Sequence, residues 1–342
     1  MVEKQASDLF FTPYAPVMIK SQGNIVPVNQ NELTPKMIKQ SALALMTDYQ
    51  AQQFAEELEI DFAISEPGLG RFRVNVFHQR GNPAMVMRYI TGELPRLDEL
   101  GVPPVLKDLA MRRRGLILMV GATGSGKSTT LAGMINYRNE NAANHILTIE
   151  DPIEFLHPNK RSIINQREVG VDTLSYARAL KSAMREAPDV ILVGEIRDRE
   201  TMEAAIALAG TGHLCISTLH ANNTAETLDR IINMFPQDQH AQILMDLSQY
   251  LRAIISQRLV RTSSESRAAA VEVLINTPHI SELVKVGDIA GVKEAHHDSS
   301  EPGMQTFDDS LYHLYRDGRI DMETALVNAD SRANLEAKIN FG

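Results

Sequence analysis

The sequence predicts an α/β protein in two domains. A small mixed α+β domain spans residues 1–95, a linker residues 96–104, and a larger P-loop domain residues 105–342. Three observations carry this. Between residues 115 and 236, short unbroken apolar runs alternate with helix-length segments, the pattern of a mostly parallel sheet covered on both faces. A glycine-rich loop, Gly121-Ala122-Thr123-Gly124-Ser125-Gly126-Lys127-Ser128-Thr129, stands between one such run and a helix. Upstream, residues 94–104 hold Pro95, Gly101, Pro103 and Pro104, which suit a connector better than a core element.

Taken in order, residues 17–20 and 24–27 read as a hairpin of short strands. Thr34-Pro35 caps and opens a helix over residues 36–47, and residues 49–57 make a second. Strands follow at 60–65, 71–78 and 85–90; Arg71-Phe72-Arg73-Val74-Asn75-Val76-Phe77 alternates with period two, as a half-buried strand does. The first domain is expected to end near Thr91 and Gly92. A short helix at 105–111 leads through Arg112-Arg113-Arg114 into the α/β region, a cationic run that suits a helix C-terminus. Strands are expected at 116–120, 146–149, 190–194 and 214–218, and helices near 128–138, 175–186, 199–209 and 225–234. Beyond Pro236 the chain reads as mainly helical: a long amphipathic stretch over 238–257, a strand pair at 267–275, and small helices at 279–286, 291–297, 307–317 and 321–327, with a frayed helix after Asp330.

Net charge is −9, from 43 acidic and 34 basic residues, which argues against direct nucleic-acid binding over a broad surface. The single cysteine, Cys215, excludes an internal disulfide or a cysteine-rich metal site, suits a cytoplasmic setting, and reads as a buried small hydrophobe. No signal peptide is visible and no run reaches the roughly 20 apolar residues that cross a bilayer. No membrane insertion is expected; attachment to a membrane would need a partner.

The loop's spacing and flanks mark a phosphate-binding site. Its glycines let backbone N–H groups wrap an anion, and the following helix presents its positive end to the same place. Lys127 adds charge at the β- and γ-phosphates, and Ser128 places a hydroxyl for Mg²⁺. The remaining groups should lie at the carboxyl ends of neighbouring strands. Glu195 ends the apolar run Val190-Ile191-Leu192-Val193-Gly194 and is a candidate for Mg²⁺ or its water. Glu150, Asp151 and Glu154 cluster after another run around Pro152, a pattern open to a Mg²⁺ or water-activating role or to a solvated acidic turn. His213 and His220 bracket the strand at 214–218; odd spacing puts them on opposite faces, so they do not share one metal. Both are carried as nucleotide-side candidates, His220 being better placed to touch a phosphate.

In order, residues 121–129, Thr148-Ile149-Glu150-Asp151-Pro152-Ile153-Glu154, the Glu195 strand, and Gly210-Thr211-Gly212-His213-Leu214-Cys215-Ile216-Ser217-Thr218-Leu219-His220 resemble the Walker A, Asp box, Walker B and His box of the secretion ATPases that power type II and type IV secretion and type IV pili. The whole chain is similar to the PilT/PilU retraction (twitching-motility) branch. The resemblance implies a PAS-like N-terminal domain, a RecA-like ATPase domain, ATP and Mg²⁺ as ligands, and a homo-hexamer acting on a pilus inner-membrane platform protein. It implies that Glu154 activates water, Glu195 sits beside Mg²⁺, His220 senses the γ-phosphate, and Arg73 and Arg88 (with Arg80 a third possibility) face the triphosphate. One segment departs: where that branch carries Ala-Ile-Arg-Asn-Leu-Ile-Arg-Glu after Asn-Thr-Pro, this chain has His279-Ile280-Ser281-Glu282-Leu283-Val284-Lys285-Val286. Loss of both arginines points to the PilU-like side, an accessory motor working with a partner retraction ATPase. The alternatives are an ATP-binding scaffold with little hydrolysis of its own, and a type II secretion ATPase, which the absence of a four-cysteine insertion disfavours.

Overall fold

The computed structural model describes the chain except residues 5, 22, 67, 91, 92, 265 and 342. The boundary expected near Thr91 and Gly92 lies outside the described residues. The chain divides into two compact units, one of Met1–Glu93 with Glu154–Leu156 and one of Leu94–Ile153 with His157–Gly342.

In the first unit, β1 (Ala6–Phe11), β2 (Pro16–Ser21) and β3 (Asn24–Glu32) precede α1 (Pro35–Leu45) and α2 (Asp48–Glu57). Then come β4 (Glu59–Glu66), β5 (Gly70–Gln79) and β6 (Asn82–Ile90). Their sheet runs β3-β2-β1-β6-β5-β4, with antiparallel pairing throughout. The alternation read in β5 is a burial alternation: Phe72, Val74 and Val76 are buried, and Val74 and Val76 join Ala42 of α1, Phe54 of α2, Ile60, Phe62 and Met85 in one core. Both helices start where caps demand. Thr34 accepts from the Met37 amide, and Thr47 with Gln50 completes a reciprocal capping box. β1 is an addition to the sequence reading. Its inward Asp8 is poor strand composition, and it is held by Arg88 of β6 at 2.8 Å.

In the second unit, α3 (Val105–Ala110), β7 (Gly115–Val120), α4 (Lys127–Asn141), β8 (His145–Glu150) and β9 (Ile163–Glu168) are followed by α5 (Tyr176–Ala183), β10 (Val190–Val193), α6 (Arg199–Gly210), β11 (Leu214–Leu219) and α7 (Thr224–Asn233). Next are α8 (His240–Tyr250), β12 (Leu251–Arg261) and β13 (Arg267–Ile275), then α9 (Pro278–Val286), α10 (Ile289–His297), α11 (Phe307–Arg316), α12 (Met322–Asn328) and α13 (Arg332–Phe341). The sheet order is β13-β12-β7-β11-β10-β8-β9; β13 alone runs antiparallel to its neighbour. β7 shows why the strands read as unbroken apolar runs. Leu116, Leu118 and Val120 pack in one core with residues of α5, α6 and α8, while Ile117 and Met119 pack in another with α3 and α4. All five are fully buried, each contributing about 1.5–3 kcal/mol by leaving water. Cys215 lies in the first of these cores, and burial pushes its thiol up to about 12.

Two expectations after Pro236 are corrected. The stretch at 238–257 is not one helix. It turns at Leu251 into β12, whose β-branched Ile254 and Ile255 are fully buried beside β7. Residues 267–275 form a single strand, β13, whose partner is β12. The part after 236 therefore supplies two strands to the central sheet. In α9, Ile280 and Val284 are buried, so the apolar spacing of the divergent motif is a packing face, while Glu282 and Lys285 pair at 3.7 Å outside.

Candidate nucleotide-binding site

β7 delivers the glycine-rich loop at its carboxyl end. Gly121 (φ 141°), Gly124 (φ 79°) and Gly126 (φ 86°) hold backbone conformations that side-chain-bearing residues rarely adopt. Gly126 sits at the N-cap of α4 and brings no capping side chain, so the first amides of the helix are left to an anion. Lys127 Nζ donates to the carbonyls of Gly121 at 2.7 Å and Ala122 at 2.9 Å, folding the side chain over the loop. Ala122, Thr123 and Gly124 are exposed; Lys127, Ser128 and Thr129 are half-buried; Ser125 is buried, and its Oγ has no hydrogen-bond partner.

Strand order brings the other groups to the same edge. β11 lies beside β7, β10 beside β11 and β8 beside β10, all parallel. Their carboxyl ends therefore offer His220, Glu195 and Glu150-Asp151 in succession. Gly194 is needed here, because a Cβ would stand 2.9 Å from the Tyr176 hydroxyl and 3.2 Å from Glu150 Cα. The ends of β10 and β11 are laced together, Thr218 Oγ1 donating to Gly194 O at 2.6 Å and the Ile196 amide to Thr218 O at 2.9 Å. This fixes Glu195, whose side chain is 15% exposed. Arg197 Nε donates to one of its oxygens at 2.6 Å. His220 Nε2 stands 2.7 Å from the other oxygen, at an angle that does not make a good hydrogen bond. The hydrogen bond and charge of Glu195 raise Arg197 above its ordinary value, and burial together with nearby Asp151 raises Tyr176. Glu150 accepts from Thr148 Oγ1 at 2.7 Å and Gln166 Nε2 at 3.1 Å.

His213 precedes β11 at the opposite end of the strand, about 20 Å from the loop at 3.3 Å per strand residue. Its Nδ1 contacts Leu208 O and Thr211 Oγ1, both at 3.1 Å. The sheet thus separates it from the phosphate side. Arg73 and Arg88 belong to the first unit, directly opposite one another on β5 and β6. Arg73 pairs with Asp61 at 3.6 Å and Arg88 with Asp8 at 2.8 Å. Burial alone would raise the Asp8 carboxyl, but the hydrogen bonds and charge of Arg88 outweigh it and leave it below the usual carboxylate range. Glu154 is exposed and also groups with the first unit.

Sequence reasoning missed the strand that braces these loops. On one face of β12, Gln257 Nε2 donates to Ser125 O at 2.8 Å, and its Oε1 accepts from Thr130 Oγ1 at 2.8 Å. On the other, Ser256 Oγ and Arg258 donate to the Asn222 carbonyl, at 3.1 and 3.3 Å, in the loop that follows His220. Arg258 also pairs with Asp330 at 2.7 Å and lies 3.8 Å over the Phe307 ring. Glu272 of β13 accepts from the Thr224 amide and hydroxyl at the start of α7. The available signal was the polar Ser256-Gln257-Arg258 inside an apolar run, since a buried polar group needs a specific partner.

Oxygen donors at Ser128 and Glu195 suit a hard cation such as Mg²⁺. Among the described residues no cluster of three or more His, Cys, Asp or Glu side chains could hold a metal ion. The fold and loop together define a P-loop nucleotide-binding protein. A family model described as Type II/IV secretion system protein matches residues 1–317. The type IV pilus ATPase PilU of Pseudomonas aeruginosa is 50% identical over 343 aligned positions, covering 100% of this chain and 90% of PilU. The type IV pilus retraction ATPase PilT of that organism is 43% identical, covering 96% of each chain. A crystal structure of the pilus retraction motor PilT with bound ADP superposes with a TM-score of 0.92 at 41% identity, covering 98% of this chain and 96% of that one. The chain belongs to the type II/IV secretion system protein family and, of these two relatives, is more similar to PilU.

Proposed function

We propose that this chain is an ATPase motor subunit that hydrolyses ATP with Mg²⁺ to drive or assist pilus retraction. The observation that carries the reading is the placement of the P-loop, His220 and Glu195 on three adjacent parallel strands at one sheet edge. The loop amides and the start of α4 bind the phosphates, and Lys127 leaves its two carbonyl partners for the β- and γ-oxygens. Ser128 and Glu195 would hold Mg²⁺, which would supply compensation for the phosphate charge there. His220, positioned against Glu195, reads the γ-phosphate. Glu154 is proposed as the water-activating carboxylate, with Glu195 the competing assignment. Arg73 and Arg88 are assigned to the triphosphate on the family resemblance alone.

Likeness to PilU and PilT supports a homo-hexamer at the cytoplasmic face of the inner membrane, held there by a platform protein and working with a partner retraction ATPase. No described helix is long and apolar enough to cross a membrane, in keeping with attachment through partners. The changed residues of α9 favour one further reading, an accessory subunit with low hydrolysis. Steady-state ATPase measurements on the isolated protein, with Lys127→Ala beside it, test both. Turnover abolished by the substitution supports the motor; wild-type turnover in Lys127→Ala overturns the P-loop assignment, and nucleotide binding with negligible wild-type turnover selects the accessory reading.

A further inference from the structure

We propose that Gln257 is a positioning residue for the nucleotide: it turns the Gly126 amide toward the phosphate by holding the Ser125 carbonyl on the opposite side. This rests on reading residues 121–129 as the nucleotide loop. Gln257 is 2% exposed, and both ends of its amide are used, Nε2 on Ser125 O and Oε1 on the Thr130 hydroxyl, each at 2.8 Å. In a planar trans peptide the carbonyl and the following N–H point in opposite directions. Fixing Ser125 O against β12 therefore aims the Gly126 N–H away from β12. That amide begins the run of N–H groups leading into α4, which an anion meets.

The glycines record how closely β12 backs the loop. A Cβ on Gly126 would stand 2.7 Å from Gln257 Nε2, and one on Gly121 2.4 Å from the Gln257 carbonyl oxygen. Real Cβ atoms do not approach that near: at Gly121 the obstacle is the backbone of β12 itself, and at Gly126 a Cβ would push the Gln257 amide off the loop. Gln257 touches neither phosphate nor water in this scheme; it acts through the peptide it holds.

A buried glutamine that merely stabilised the fold would lower the melting temperature and leave nucleotide affinity alone. The full-length protein is compared as wild type, Gln257→Met, Gln257→Glu and Thr130→Val, reading the Kd for ADP by calorimetry and the melting temperature without nucleotide. Gln257→Met removes both bonds at similar volume. Gln257→Glu keeps the acceptor for Thr130 but sets a carboxylate against Ser125 O. Thr130→Val breaks one bond behind the loop and leaves the Ser125 carbonyl held. The expected result is a rise in Kd of about tenfold or more in both Gln257 variants, the scale of one hydrogen bond to a charged group, and a change within about twofold in Thr130→Val. Wild-type affinity in a folded Gln257 variant overturns the proposal, as does a Thr130→Val loss equal to theirs. If Gln257→Met does not fold, Gln257→Glu decides. Lys127→Ala in the same assay separates the two readings. Wild-type affinity there sinks the P-loop assignment itself, whereas its loss beside wild-type affinity at Gln257 sinks only the positioning role.

Discussion

Glu272 gives the protein a stability that should fall as pH rises through neutrality. It is buried, and burial pushes its carboxyl up from 4.5 to about 7, against the pull of the two Thr224 hydrogen bonds. The groups around it are Arg258 of β12, Asp330 after α12, and His296 of α10, whose Nδ1 lies 3.6 Å away. Burial lowers His296 as it raises Glu272, so burial disfavours an ion pair between the two. Between roughly pH 4.5 and 7 the folded chain keeps a proton on Glu272 that the unfolded chain has lost. Stability therefore declines across that window, by about 3 kcal/mol in all. His296, lowered instead, gives the opposite slope below its ordinary value. In Glu272→Gln the amide can still accept from the Thr224 N–H and donate to its hydroxyl, yet it cannot ionise. Melting curves of wild type and variant at intervals from pH 5 to 8, taken as differences, cancel the titrating groups that do not interact with Glu272. The variant should gain on the wild type as pH rises, by on the order of 5–10 °C in total for a unit of this size. A difference that stays constant with pH would refute the assignment.

Four further substitutions probe the site and its supports. Gly121→Ala meets a carbonyl oxygen 2.4 Å from the new Cβ and should lose nucleotide binding, whereas Gly124→Ala, with nothing within 4 Å, should cost only about 1 kcal/mol of backbone strain; equal nucleotide Kd values for the two would contradict this. Arg138 is buried and donates to the Ala110 and Arg112 carbonyls at 2.7 and 2.6 Å, so Arg138→Leu should destabilise by about 2–4 kcal/mol in urea unfolding. Under the competing assignment of Glu195 as the water-activating carboxylate, Glu195→Gln should lower kcat by about 10²–10⁴ with little change in KM; an unaltered kcat would rule that assignment out.

The elements legible in the sequence are those whose physics is local. The P-loop announces itself because its glycines, lysine and serine are contiguous, and β7, β8, β10 and β11 because two-sided burial leaves mostly apolar residues. β9 escaped notice because Ile163-Ile164-Asn165-Gln166-Arg167-Glu168 is an edge strand with little apolar signal. β12 was lost in a helical reading because the amphipathic spacing of α8 runs into it without punctuation. Pairing with β7 and β13, distant in sequence, decides its conformation. Gln257 fell with it, since a residue assigned to a helix gives no reason to look for it behind a loop about 130 positions upstream. His213 was read on its place in a motif; which end of β11 faces the nucleotide is a property of the sheet.

The pairing of β12 with β7 carries one irregularity. Leu251 lies opposite Leu116 and Ala253 opposite Ile117, after which the match is one to one as far as Ser256 and Val120. Arg252 is the supernumerary residue, its side chain donating to the Gln249 and Leu251 carbonyls at 2.9 and 3.0 Å. The bulge absorbs the extra residue: Leu251 and Ala253 pack in opposite cores, as Leu116 and Ile117 do, so alternation beyond it matches that of β7. Deleting Arg252 would leave the Gln257 amide facing the P-loop and the Arg258 guanidinium facing the loop after His220. A second residue added after Ala253, with no bulge to absorb it, would instead shift Ser256, Gln257 and Arg258 to the opposite faces.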